Sequence, residues 1–203
     1  MSSPLPNTRS RGRPREFDLD AALDKAIAVF TEKGYHGTSV SDLSAALELT
    51  AGSIYKAFSD KKTVFASALE RYIALRTARL QQALQAAGSG RERIRTLLAL
   101  YAQDSQEAAG RRGCFIVSSA VELSISDPDI ALRVAQSLDS HEQRLVQFIR
   151  QGQEDGSIAS HVDVAATARL LLCILQGMRV IGKTGRSKKQ MYGLIDHALK
   201  VLD

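Results

Sequence analysis

Apolar residues recur along this chain at intervals of three and four, the spacing of helices with one buried face. No period-two run of Val, Ile and Thr is long enough for a strand, so the pattern predicts an all-helical protein. The densest signals lie between Thr38 and Lys62. Val40, Leu43 and Leu47 repeat at i, i+3 and i+7, and Ser39 with Asp42 has capping-box spacing, which predicts a helix of about two turns. Thr50 is placed to cap a second short helix in which Ile54 and Phe58 face inward, with Leu49 as a hydrophobic staple. Ala51, Gly52, Ser53, Tyr55 and Lys56 are then left facing out. Two short helices joined by so tight a turn form a helix-turn-helix pattern.

Around this centre the same spacing places the other elements. Leu23, Ile27 and Phe30 stripe a supporting helix, capped by Asp18 or Asp20 and ended by Gly34 in left-handed geometry. A long helix is expected from Asp60 to about Ala87, ending at Gly88-Ser89-Gly90, and another from Arg91 to Ala109. Gly110 to Gly113 breaks the chain before a short buried helix, Cys114 to Leu123. Asp127 with Pro128 starts a helix to about Asp155, Asp163 caps one over Val164 to Gly182, and Ser187 with Gln190 boxes the last, ending near Leu202. Nine helices result. The final pair carries the stripes Leu171, Leu175, Met178 and Leu194, Ile195, Ala198, with Gly177 permitting close approach. Such stripes serve either a core or an interface.

Composition narrows the function. The chain has 203 residues, 44% hydrophobic, enough for one large domain or two small ones. Of the net charge of +5, four units sit on Arg9, Arg11, Arg13 and Arg15 in an arm, residues 1–15, that carries no acid. The body is close to neutral, as suits a protein that meets a polyanion with one end. Arg11-Gly12-Arg13-Pro14 resembles the core of an AT-hook, in which arginines enter a narrow minor groove. A generic basic tail is the alternative, and either adds affinity by counterion release. The start is not a signal peptide, and the most apolar segment, Val164 to Ile181, is interrupted by Arg169, Gln176 and Arg179, so no membrane span is expected and the cytoplasm is the expected compartment. Two cysteines make neither a disulfide framework nor a zinc site, and no metal or cofactor is expected. Cys114 with His141 or His161 has no supporting catalytic signature, which argues against an enzyme.

The outward face of the second short helix combines a glycine, which allows close backbone approach, with hydroxyls, a phenol and an ammonium that reach phosphates or base edges. A solvated surface face is the bland alternative. Lys61 and Lys62 fall in the first turn of the next helix, where the macrodipole disfavours cations unless a phosphate is bound there. Phe30, Glu32-Lys33-Gly34-Tyr35, Thr38-Ser39-Val40, Asp42-Leu43, Gly52-Ser53-Ile54-Tyr55, Phe58 and Lys61 together resemble the tetracycline-repressor (TetR) family of transcriptional regulators, over Asp18 to about Tyr72. Two departures are Ala51, where many members carry Lys or Arg, and Leu49, where Val is usual. The resemblance implies a helix-turn-helix domain over residues 16–62 and a ligand-binding and dimerisation domain over 63–203. Expected DNA contacts are Arg11 and Arg13 of the arm, Thr38, the run Thr50, Ala51, Gly52 and Ser53, and Tyr55, Lys56 and Lys61. It further implies a homodimer, paired through the last two helices, that binds a palindromic operator as a repressor. An architectural binder of A·T-rich DNA without an effector is the alternative.

The family's ligand domains vary, so the resemblance implies a pocket for a small-molecule or electrophile effector but not its identity. Polar or aromatic positions able to line it are Tyr72, Tyr101, Phe115, Ser118, Ser119, Glu122, Phe148, Gln176 and Arg179. Cys114 stands out, since a thiol at a helix start beside Arg111 and Arg112 has its thiolate favoured. The segment RGCFIVSSAVEL is similar to the corresponding one in TetR-family subgroups that include electrophile sensors. A buried structural cysteine is the competing reading, and it is the reading for Cys173.

Overall fold

Most of the helices begin where a side chain can satisfy their first free amides. In the computed structural model, which describes residues 18–203, α1 (Leu19–Lys33) is capped by Asp18 and α2 (Val40–Leu47) by the Ser39 and Asp42 capping box. Thr50 caps α3 (Ala51–Ala57) and Asp60 caps α4 (Lys61–Leu84). A second capping box, Ser89 with Glu92, opens α5 (Gly90–Asp104). The pair α6 (Glu107–Arg112) and α7 (Phe115–Leu123) starts without a side-chain cap. Asp127 and Pro128 start α8 (Pro128–Glu154), Asp163 starts α9 (Val164–Gly182), and the Ser187 and Gln190 box starts α10 (Lys188–Leu199), which tightens into a 3-10 turn, Lys200–Leu202. The fold is all-helical among the described residues, as expected.

Among the described residues the expected Arg91 to Ala109 helix is interrupted, which splits it into α5 and α6. Ser105 and Gln106 turn the chain, and α6 folds back so that Gly110 and Gly182 both meet the Ser105 backbone. A Cβ on Gly182 would lie 2.5 Å from the Ser105 carbonyl oxygen, so no larger residue fits. The end of α1 also departs slightly from expectation. Gly34 has the positive φ of 73° but a ψ of 179°, extended rather than left-handed helical.

Two hydrophobic clusters hold the molecule. One joins α5, α8, α9 and α10 through Leu97, Leu98, Ile149, Leu171, Leu175 and Ile195. The other surrounds Phe30, Leu43, Ile54, Phe58 and Phe65, and it continues into Phe115, Ile116, Ile130 and Val134. Rings at its centre meet edge to face, Phe30 on Phe65 at 4.9 Å and Phe65 on Phe115 at 4.8 Å between centroids. A boundary after residue 62 therefore cuts through this second cluster. Helix α7 and the first turns of α8 belong by packing to the helix-turn-helix end. By length and composition α9 is apolar enough to cross a membrane, but Leu171, Leu175 and Met178 are buried against neighbouring helices.

Candidate functional site

At the helix-turn-helix end, α2 and α3 are short and depend on what they pack against. Ile54 and Phe58 are buried in the cluster beneath, which turns the opposite side of α3 outward. Ala51, Gly52, Ser53, Tyr55 and Lys56 are all exposed, and Tyr55 keeps 50% of its surface open. Thr50 Oγ1 accepts from the Ser53 amide at 3.1 Å, and the two hydroxyls lie 2.9 Å apart on the exposed edge. Lys56 takes part in no ion pair among the described residues. A phenol, two hydroxyls and an unengaged ammonium thus project from a helix whose Gly52 keeps its surface low, the chemistry that phosphates and base edges accept.

Two expected contacts do not lie on this face. Thr38 is 1% exposed, and its hydroxyl donates to the Gly34 carbonyl at 2.6 Å, closing the turn after α1. Lys61 is half-buried, its ammonium donating to the Tyr35 and Thr38 carbonyls at 3.0 and 2.9 Å while lying 4.2 Å from the Tyr35 ring centroid. Those acceptors explain a lysine in the first turn of α4 without a bound phosphate. Lys62 is engaged too, pairing with Asp127 at 2.9 Å and Asp129 at 3.0 Å at the start of α8. Arg11 and Arg13 lie outside the described residues.

Lys62 is one half of a clamp, and Glu122 is the other. From the last turn of α7, the Glu122 carboxylate accepts the Tyr35 amide at 2.8 Å and the His36 amide at 2.7 Å. Gly34 makes this possible, because a Cβ there would stand 2.7 Å from a Glu122 oxygen. Glu122 therefore holds the α1–α2 turn while also bordering the cavity in which the sequence placed it. Such charge-assisted bonds are among the stronger ones in a protein surface layer.

Cys114 occupies the N-cap position of α7 and is 7% exposed. It lines a cavity of about 390 Å³ between α1, α7 and α9, together with Ser118, Glu122, Arg179 and Lys183. The Tyr72 hydroxyl donates toward the sulfur from behind, at 3.7 Å. Burial pushes the thiol up, but Arg179, the Val117 amide, Arg76 and the Tyr72 hydroxyl outweigh it and hold the thiol below its ordinary range. Arg111 and Arg112, the expected cause, are exposed, and Arg111 lies against Gly185 instead. Burial, and then the nearby Cys114 sulfur, push the Tyr72 phenol well up.

Arg179 is 4% exposed. It donates to the carbonyls of Asp104 and Gly113 and to Ser105 Oγ, while its Nε has no partner among the described residues. This buried guanidinium has no carboxylate partner among the described residues, and its charge favours ionisation of the Cys114 thiol. Its position was readable as a core one, four residues after Leu175 on the buried stripe of α9. Arg76, on α4, gave no comparable signal.

The remaining pocket candidates scatter. Phe115 is fully buried at the aromatic centre, Ser119 donates to its carbonyl at 2.7 Å, and Phe148 packs in the bundle core beneath the Arg93 guanidinium. Tyr101 is buried beneath Arg76, and the Gln176 amide nitrogen is buried without a partner among the described residues. Ser118 does line the thiol cavity, its hydroxyl donating to the Cys114 and Phe115 carbonyls at 3.1 Å.

The expected dimer residues fare worse. Leu171, Leu175, Met178, Ile195 and Ala198 are at most 6% exposed inside the single chain, and only Leu194 is partly open. Helix α9 is apolar on both sides, so its stripe could not say which side faced the core. Its outer side carries Leu170, Val180 and Ile181, 48%, 53% and 40% exposed, and Cys173, which is exposed rather than packed.

Residues 22–68 match the sequence profile of bacterial regulatory proteins of the tetR family, and residues 90–198 match a tetracyclin repressor-like C-terminal domain. The HTH-type transcriptional repressor ComR of Escherichia coli K12 is 34% identical over 95% of this chain and 92% of its own length. The HTH-type transcriptional regulator YezE of Bacillus subtilis 168 is 29% identical over 95% and 100%. Among solved structures, a cysteine-substituted CifR, a TetR-family regulator bound to a 26-base-pair operator duplex, superposes with a TM-score of 0.84 at 27% identity, covering 95% of this chain and 100% of that one. With both domains matched and a relative aligned almost end to end, this chain belongs to the TetR family, whose members are DNA-binding transcriptional regulators rather than enzymes.

Proposed function

We propose that the protein is a homodimeric repressor that reads a palindromic operator with α3 and is released by an effector acting at the Cys114 cavity. The observation that carries the DNA reading is the outward face of α3, where Ser53, Tyr55 and Lys56 stand exposed over the buried Ile54 and Phe58. One short helix reads too few bases alone, so two copies on half-sites about one helical turn apart, or a multiple of that, are required. The outer side of α9 supports the pairing. Leu170, Val180 and Ile181 are exposed there, and a Cβ on Gly177 or on Gly193 of α10 would meet nothing within 4 Å. Two backbones can approach closely at such positions.

The effector acts through α7. Modification of Cys114, or a ligand in its cavity, disturbs the start of the helix whose far end holds the α1–α2 turn through Glu122. Arg76 and Arg179 favour the thiolate, the form that attacks electrophiles and oxidants. Selection of bound duplexes from a random pool tests the DNA reading. It should return an inverted repeat, and Tyr55→Ala with Lys56→Ala should weaken binding to that repeat at least tenfold at unchanged thermal stability. Recovery of A·T-rich duplexes without a repeat would replace the repressor with an architectural binder.

A further inference from the structure

The body of the chain is close to neutral, but its cations are not evenly spread. Helix α6 and the turn between α9 and α10 carry Arg111, Arg112, Lys183, Arg186, Lys188 and Lys189, against the single carboxylate of Glu107. All of these cations are exposed, and none takes part in an ion pair among the described residues. The two segments form one surface. The Glu107 amide donates to the Arg186 carbonyl at 2.8 Å, the Arg111 guanidinium lies against Gly185, and the Lys183 stem crosses Gly113.

Local electrostatics work against this placement. Lys188 and Lys189 open α10, where the helix macrodipole disfavours a cation. Lys62, in the first turn of α4, is offset by Asp127 and Asp129, whereas the α10 pair has no carboxylate at ion-pair distance among the described residues. Lys188 only overlies the Tyr192 ring, 5.7 Å from its centroid. At the other end of α10 the charges are balanced, Asp196 with Arg95 and Asp203 with Arg91. Cations crowded without counterions are a surface that an external polyanion neutralises.

The side chains present select that polyanion. Protein partners are anchored through buried aromatic or large apolar groups, and single-stranded nucleic acid through exposed rings on which bases stack. Residues 107–112 and 183–189 contain neither an aromatic nor a large apolar residue. Lysine and arginine alone suffice for the backbone of a duplex, which is held by charge and counterion release. We propose that α6 and the α9–α10 turn form a second, sequence-independent DNA surface, which takes the phosphates of a duplex segment separate from the one read by α3. Helix α3 meets the aromatic cluster through Ile54 and Phe58, and the basic surface adjoins it at Cys114 and Phe115, so the two faces are distinct. A dimer then holds two DNA segments at once, and only this consequence rests on the repressor reading.

Titration of a labelled, operator-free duplex with a chain whose α3 face is silenced by Tyr55→Ala and Lys56→Ala tests the surface. This chain should still bind the duplex at low salt. Adding Arg186→Gln, Lys188→Gln and Lys189→Gln should weaken binding at least tenfold and make its salt dependence about two to three units shallower. In the parent chain the same three changes should leave thermal unfolding and operator affinity unchanged, because the side chains are exposed and the Ser187 and Gln190 box stays intact. The proposal is overturned if the silenced chain does not bind the duplex, if the three changes leave that binding as it was, or if they weaken operator binding equally. Tighter binding of polyglutamate than of the duplex would also overturn it, in favour of an acidic protein partner. The first titration needs no operator, so its failure and the failure of the repressor reading are separate results.

Discussion

The unit around α2 and α3 and the bundle of α5, α8, α9 and α10 are both assembled from amphipathic helices, yet they hold their shape by different means. The first is a chain of local devices. Ser39 and Asp42 box one helix, Thr50 caps the next, and Thr38 and Lys61 tie off the carbonyls of the turn between α1 and α2. In the second, helices of up to 27 residues meet through side chains distant in sequence, such as Leu97, Ile149, Leu171 and Ile195. What is local can be read from neighbours in the chain, and what is long-range cannot. The starts of α2, α3, α8, α9 and α10 follow from one or two neighbouring residues each, and the outward residues of α3 follow from Ile54 and Phe58. The facing of α9 does not follow, because a helix apolar on both sides satisfies a core and an interface equally. Cys114 shows both behaviours at once. Its place at a helix start was legible, but its cations come from Arg76 and Arg179, separated from it by 38 and 65 positions in the sequence.

The largest effect expected from this contrast is in the bundle. Leu171→Ala removes a side chain fully enclosed within one chain and should cost about 2–5 kcal/mol by chemical denaturation, independent of protein concentration. If Leu171 instead faced a second subunit, the loss would shrink as concentration rises.

A pH effect of up to about 3 kcal/mol should follow, also from the bundle. His141 is held neutral in the folded protein down to about 4, whereas in the unfolded chain it titrates near 6.5. As pH falls from about 6.5 to 4 the unfolded state takes up a proton that the folded state refuses, and stability drops over that window. His141→Gln should flatten the drop in thermal unfolding measured across it. An identical pH slope in the variant would place the titration elsewhere.

The smallest stability effects belong to the exposed face of the recognition unit. Lys56→Ala should leave stability within about 0.5 kcal/mol, as surface changes do, while still weakening operator binding and lowering the salt slope by about one unit. Ser39→Ala, at the start of α2, should instead cost about 1 kcal/mol, because it removes a cap rather than a contact. Equal stability losses in the two would mean that the outward face of α3 is structural after all.

If the two regions communicate through α7, the amides of Tyr35 and His36 report on it directly. Both donate to Glu122, so hydrogen exchange at these amides measures whether the α7 clamp is closed. Exchange should be followed on the same sample as operator affinity, before and after alkylation of Cys114. Alkylation should speed exchange at Tyr35 and His36 as operator affinity falls, and Glu122→Gln should show the faster exchange without any reagent. Loss of operator binding with exchange at those two amides unchanged would contradict communication through α7.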